Sequence, residues 1–336
     1  MRNSSLPSAP LIINWTLTNQ CNFCCQHCYS RADTNDDLDT DTILRLIEKA
    51  ANAKVLSLNF GGGEPLLRED LFEIIRFATD LGLAVSMNSN GFIIDRQTVF
   101  NLKASGIKKV GISIDSPKAA VHDAFRKTEQ SHARALYALV HLNDAGIETS
   151  VSSVICKINS NDLQGLMDMA ISVGASSINF HDFKCSGLGY TNRSALDLDP
   201  GQWHEVYQDA VALKESVGEL QVMIDDPIVS LIGHKDAESL VKGSVCGKLS
   251  LCIKADGAIT PCGFIPTVIG NLIDDDLLEV WRNSPVLEAM RNKHAQGKCA
   301  GCSCYEDCLG GCSARALALT GDFNNPDPHC WYDEHR

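Results

Sequence analysis

Between residues 12 and 182, short apolar runs rich in β-formers alternate with longer amphipathic runs, the pattern of βα units wound around a parallel sheet. The short runs predict strands at 12–18, 55–59, 84–89, 109–114, 148–154 and 177–182. Between them, 41–53, 69–81, 96–105, 132–145 and 163–174 carry apolar residues at helical spacing. Several of these helices stop at a glycine (Gly82, Gly106, Gly146, Gly174), the residue that best tolerates the left-handed turn at a helix end. Ligand sites in such folds gather at the C-terminal ends of the strands. Three features lie there: Cys21, Cys25 and Cys28, the run Gly61, Gly62, Gly63, and the segment Asn88, Ser89, Asn90, Gly91. They are expected to share one cavity. Past residue 182 the pattern gives way to a polar connection over 184–199 and one more helix over 200–217, and from Cys246 cysteine dominates. The expected division is a core at 1–235 and a cysteine-rich unit at 236–336.

Charge and cysteine usage narrow the chemistry. Lys plus Arg number 29 against 42 Asp plus Glu, a net charge of -13, which disfavours the phosphate neutralisation of nucleic-acid binding. Residues 1–10 are polar with no apolar signal core, and no apolar run approaches membrane-spanning length, so a cytoplasmic protein without a membrane partner is expected. Fifteen cysteines in short clustered spacings, without an export signal, point to metal rather than disulfides.

The first cysteine set, Cys21-x3-Cys25-x2-Cys28, follows the first strand and has only three members. A four-iron cluster is normally held by four thiolates, so three leave one iron open for a ligand other than protein. Cys24 completes no such spacing. A zinc loop is the bland alternative. The loop from Thr18 to Tyr29 resembles that of the radical S-adenosylmethionine (SAM) enzymes. The resemblance implies a partial (β/α)6 barrel of TIM type, with SAM chelating the open iron, cleaved by an electron from the cluster to a 5′-deoxyadenosyl radical that takes a substrate hydrogen. Gly62, Gly63, Glu64 and Pro65 match the family's GGE motif, in which the acid meets the methionine ammonium. Ser113 and Asp115 match polar positions facing SAM, Arg126 a carboxylate-binding arginine, and Ser89 and Asn90 end the third strand in a similar way. His27 and Tyr29 match aromatic positions near adenine.

The C-terminal cysteines resemble the seven-cysteine SPASM pattern of one radical SAM subgroup: Cys246, Cys262, Cys299, Cys302, Cys308, Cys312 and Cys330. Cys252 supplies an eighth. The resemblance divides them into one auxiliary 4Fe-4S cluster on Cys246, Cys252, Cys262 and Cys312 and another on Cys299, Cys302, Cys308 and Cys330. Structural zinc is again the alternative, since Cys299-x2-Cys302 is half a zinc site. Cys24, Cys156, Cys185 and Cys304 stay unassigned. Of these, Cys304 lies between two proposed ligands as a substitute, and Cys185 is the candidate catalytic hydrogen donor near the cavity mouth.

Relatives of this pattern oxidise or crosslink peptide side chains in natural-product and peptide-cofactor maturation, and that oxidoreductase role leads. The alternatives are oxidative decarboxylation of tetrapyrrole side chains, for which Lys157, His181, Lys184 and Tyr190 are candidate propionate partners, and a sugar or other small-molecule dehydrogenase or decarboxylase. A non-catalytic iron-sulfur electron carrier leaves the three-cysteine loop and its GGE segment unexplained. The first strand begins by residue 12, leaving no room for an N-terminal peptide-recognition domain, so a separate leader-peptide-binding protein is expected, with a flavodoxin- or ferredoxin-type reductant. Gly263 stands where sulfatase-maturing relatives have an acid, and the tail from Asn325 to Cys330 resembles those of both tetrapyrrole- and peptide-modifying members.

Overall fold

The computed structural model describes residues 6–30, 37–216, 218–233 and 241–332. Strands β1 (Ile12–Thr18), β2 (Ser57–Gly62), β3 (Ala84–Ser89), β4 (Lys109–Ser113), β5 (Glu148–Ile155), β6 (Ser177–Asp182) and β7 (Gln221–Ile224) run parallel, each paired with the next. Helices α1 (Thr40–Asn52), α2 (Leu71–Asp80), α3 (Arg96–Ala104), α4 (Ala119–Arg126), α5 (Ser131–Asp144) and α6 (Leu163–Ser172) fill the crossovers. The alternation of the sequence therefore marks the first six strands to within three residues at either end. It does not mark α4, whose eight residues are too few for a period to stand out, or β7, whose four residues are too short a run for an alternation to show.

Strand alternation sorts the side chains. Ile13, Trp15, Leu58, Phe60, Val85 and Met87 are buried in one core with Ile43, Leu46 and Ile47 of α1. On the opposite, inner face Asn14, Thr16, Asn59, Ser86, Ser113 and Ser152 are half-buried, so the inner wall is short and polar. Asp39 and Asp95 cap α1 and α3 through the amides of Thr42 and Thr98, at 2.8 and 2.7 Å. Gly82, Gly106, Gly146 and Gly174 take φ of +84°, +83°, +69° and +70°, the left-handed exits read from the sequence.

The sheet continues past the break in pattern near residue 235. Strand β8 (Ser250–Ile253) pairs in parallel with β1, Ile12 to Trp15 opposite Ser250 to Ile253, and β9 (Ala258–Thr260) and β10 (Gly270–Asn271) extend that edge antiparallel. The cysteine-rich segment is thus hydrogen-bonded into the barrel sheet. No helix among the described residues is long and apolar enough to cross a membrane.

A buried charge cluster fastens the other side. Arg315, 0% exposed on the helix Ser313–Thr320, pairs with Asp182 at the end of β6, with Asp226 after β7 at 2.7 Å, and with Asp327 at 2.5 Å. Lys184 also pairs with Asp182, at 2.7 Å, and the Tyr207 hydroxyl donates to Asp226 at 2.5 Å. Three carboxylates thus face two cations. Burial, then the neighbouring Asp327 charge, push Asp226 up to about 7, whereas the Arg315 guanidinium overcomes burial and holds Asp327 well below the usual carboxylate range. Removing one member of such a cluster leaves charge buried without compensation, which costs about 3–5 kcal/mol. Arg315→Ala is expected to lose roughly that in anaerobic unfolding, against at most about 1 kcal/mol for Lys118→Ala at the partly exposed Lys118–Asp162 pair. An acid whose folded pKa lies above its unfolded value stabilises below the unfolded pKa and loses that contribution as pH rises through the folded one. The thermal midpoint of the wild type should therefore fall relative to that of Asp226→Asn as pH is raised from about 4 past about 7.

Candidate cluster and cofactor site

The three-cysteine loop leaves the end of β1 and is held from three sides. From β2, the amides of Gly63 and Glu64 donate to the carbonyls of Thr18 and Gln20, both at 2.8 Å. A Cβ on Gly62 would stand 2.3 Å from the Thr18 carbonyl oxygen, and one on Gly63 only 2.0 Å from that of Gln20. The two glycines thus let backbone approach the cysteine loop itself. From the end of α4, the carbonyls of Phe125 and Ala124 accept from Gln26 at 3.1 and 3.0 Å. Beyond β6, Leu188 donates its amide to the Cys28 carbonyl at 2.8 Å and Asn192 its side chain to that of Gln26 at 2.8 Å. Gly187, at φ +54° with its Cα face against the Tyr29 carbonyl, makes that third contact possible. Its only sequence signal is a lone glycine after a strand.

Each sulfur of the trio has its own polar neighbour. The Phe23 amide donates to Cys21 Sγ at 3.4 Å, Arg126 to Cys25 Sγ at 3.8 Å, and Ser30 Oγ lies 3.7 Å from Cys28 Sγ. Burial pushes Cys21 up to about 11 and raises Cys25 against the pull of Arg126. Three thiols from one short loop are the soft donor set that an iron-sulfur cluster takes. Cys24 is exposed beside them.

The residues matched to SAM contacts gather at the same strand ends, several of them bonded to each other. Glu64 is fully buried, and its carboxylate accepts from Ser89 Oγ at 2.9 Å, the Asn90 amide at 2.8 Å and the Leu66 amide at 3.3 Å. Burial lifts it to about 7 against those bonds. Asp115 accepts from Arg126 Nε at 2.6 Å and the Val154 amide at 3.0 Å. Burial opposes its charge, but Arg126, with His27 and His122, holds it below the usual range. Asp115 thereby aims Arg126 at Cys25. His27 stacks on Phe125 at 4.5 Å, and Tyr29 lies 4.7 Å from Phe264 in the cysteine-rich segment. Around them the inner wall stays open: a Cβ on Gly61 would meet nothing within 4 Å, and the buried Ser152 Oγ has no partner. A polar ligand fits that space.

The eight C-terminal cysteines fall into two separate groups. Cys246 and Cys262 share a hydrogen bond that pulls Cys246 down to about 6 and drives Cys262 up, with Cys252 in electrostatic range of both and Cys312 in one apolar cluster with them. Cys299, Cys302, Cys308 and Cys330 line one small cavity with Lys298, Tyr305 and Asp327. Cys304 does not line it. All fifteen cysteines are free.

One expectation of placement is corrected. Cys185 is a core residue, 3% exposed, with its thiol donating to Asp197 at 3.4 Å, rather than a group at the mouth; the apolar packing of Phe183 and Leu196 draws its segment inward. The four side chains suggested for propionates are already engaged. Lys184 binds Asp182 and Cys312, His181 lies 3.6 Å from Asp225, Lys157 donates to the Ser194 carbonyl, and Tyr190 lies under the Arg193 guanidinium.

Comparison with known proteins agrees with this geometry. The family model of the radical SAM superfamily matches residues 15–170, and that of an iron-sulfur cluster-binding domain, SPASM, matches 246–304. The chain is 30% identical to mycofactocin maturase MftC of Mycobacterium ulcerans, over 96% of this chain and 88% of that protein. It is 28% identical to the AdoMet-dependent heme synthase of Methanosarcina barkeri, over 98% of each, and 27% identical to the PqqA peptide cyclase of Methylocella silvestris, over 94% and 85%. Its fold superposes on SAM-bound SuiB of Streptococcus suis with a TM-score of 0.81 at 18% identity, over 97% of this chain and 78% of that one. The chain therefore belongs to the radical SAM superfamily, as a SPASM-type enzyme whose cofactors are 4Fe-4S clusters and SAM.

Proposed function

We propose that Cys21, Cys25 and Cys28 hold the SAM-binding cluster and that each group of four C-terminal cysteines holds one auxiliary cluster, with the core at 1–235 and the SPASM unit at 236–336. With SAM on its open iron, such a cluster supplies a 5′-deoxyadenosyl radical that removes a substrate hydrogen. The protein's part is position. Arg126, fixed by Asp115, keeps a positive charge beside Cys25, and Glu64, held by Ser89 and Asn90, braces the end of β2 against that of β3. Gly61, where an added side chain would meet nothing, borders the space left for SAM.

The substrate we propose is a peptide, oxidised or crosslinked at a side chain. The observation that carries this reading is the inner wall: its half-buried positions are amides and hydroxyls, the groups that pair with peptide backbone, and the basic groups suggested for propionates are already engaged. A relative named for a peptide substrate, the PqqA cyclase, aligns over most of both chains. Tetrapyrrole modification is the second reading, favoured by the full-length match to a heme synthase. Both readings place the enzyme in the cytoplasm with a flavodoxin- or ferredoxin-type reductant, and the peptide reading adds a separate leader-binding protein.

Reconstituted anaerobically and reduced with dithionite, the wild type should release 5′-deoxyadenosine from SAM, and Cys25→Ala should release none; equal release from both would sink the proposal. Gly63→Ala, whose new methyl collides with the Gln20 carbonyl, is expected to lose this activity and about four irons while keeping the auxiliary clusters. Stimulation of nucleoside release by a precursor peptide rather than by a propionate-bearing tetrapyrrole would decide the substrate, and the reverse would overturn the peptide reading.

A further inference from the structure

The barrel treats the two C-terminal cysteine groups differently. Toward the second group it presents the apolar Ile228 and Leu231, and the backbone donors there, Gly310 and Gly311 at Cys308 and Tyr332 at Cys330, come from the cysteine-rich segment itself. Toward the first group it extends two polar side chains that reach toward sulfur. Lys184, just past β6, places Nζ 3.3 Å from Cys312 Sγ. It is fixed there by both oxygens of Asp182, at 2.8 and 2.7 Å, which Arg315 pins in turn, and it lies 5.8 Å from the ring of Phe264. Asn14, on β1, sits directly opposite Cys252 of β8, within range of its sulfur.

The orientation of Asn14 is set by a row across the inner wall. Asn14, Asn59 and Ser86 stand opposite one another on β1, β2 and β3. Ser86 Oγ donates to Asn59 Oδ1 at 3.1 Å, and Asn59 Nδ2 donates to Asn14 Oδ1 at 3.0 Å. With its oxygen so used, Asn14 has only its amide N–H to offer Cys252. Every donor in the row points toward the sulfur. The sequence does not point to this pairing: Asn14 lies in the middle of a strand, and Lys184, read there as a propionate partner, comes 128 residues before the cysteine it touches.

We propose that Lys184 and Asn14 are positioning residues for the first auxiliary cluster, raising its reduction potential above the value it would have without them. Adding an electron makes a cluster more negative, and N–H donors and a cation at its sulfurs favour the reduced state. The inference rests on the reading that Cys246, Cys252, Cys262 and Cys312 ligate one cluster.

The test is an anaerobic redox titration of the reconstituted holoenzyme followed by electron paramagnetic resonance. Lys184→Met should lower the midpoint potential of one auxiliary signal, leaving the other auxiliary signal and the SAM-responsive signal in place. Lys184→Arg should restore most of the loss, and Asn14→Val should lower the same midpoint. If Lys184→Met fails to retain iron, Asn14→Val and Lys184→Arg decide. Unmoved midpoints, or equal movement of both auxiliary signals, would overturn the proposal. Iron analysis of Cys312→Ala separates the two levels: a loss of about four irons supports the ligation reading, and full iron content refutes that reading and the inference with it.

Discussion

Everything at the mouth of the barrel depends on one close backbone contact, the packing of Gly62 and Gly63 against the carbonyls of Thr18 and Gln20. A loop that must present three sulfurs to one side has little regular structure of its own to hold it. Here its shape comes from outside, through hydrogen bonds to the segments after β2, α4 and β6. The first of these approaches closely only because two residues lack a Cβ. Glu64 follows directly, and its burial against Ser89 and Asn90 carries the constraint from β2 to β3. The GGE segment is thus a clamp on the cysteine loop.

The cysteine-rich segment is joined to the barrel at both edges of the inner wall. On one edge β8 continues the sheet beside β1, and on the other Arg315 gathers Asp182, Asp226 and Asp327. Backbone pairing fixes register, while the buried charges fix position without tolerating a missing member. Between these fastenings lies the polar inner wall, and the contacts Tyr29–Phe264 and Lys184–Cys312 bring the two iron-sulfur regions toward a common space. A radical generated at one site and a second cluster near its substrate need that rigid arrangement.

Much of this was legible in the sequence because its signals are local. Strand alternation, helix-ending glycines and short cysteine spacings each occupy fewer than about a dozen consecutive residues. The grouping of the eight C-terminal cysteines was legible only through family resemblance, since spacing alone does not say that Cys312 returns to the first set. Contacts between distant segments left no trace: the arginine–aspartate cluster, the Asn14–Asn59–Ser86 row and the Gly187 contact join residues that look ordinary where they stand. Cys185 shows the reverse error. Its place after a strand suggested the cavity mouth, yet the apolar residues around it, Phe183 and Leu196, turned that segment into the core.

In the proposed arrangement one iron among three clusters is left open by the protein and SAM occupies it. Mössbauer spectroscopy of isotopically enriched, fully reconstituted protein tests this directly, with and without SAM. About twelve irons per chain are expected, with about one of them changing its spectrum when SAM is added. Iron for only two clusters, or a spectrum that SAM leaves unchanged, would contradict it.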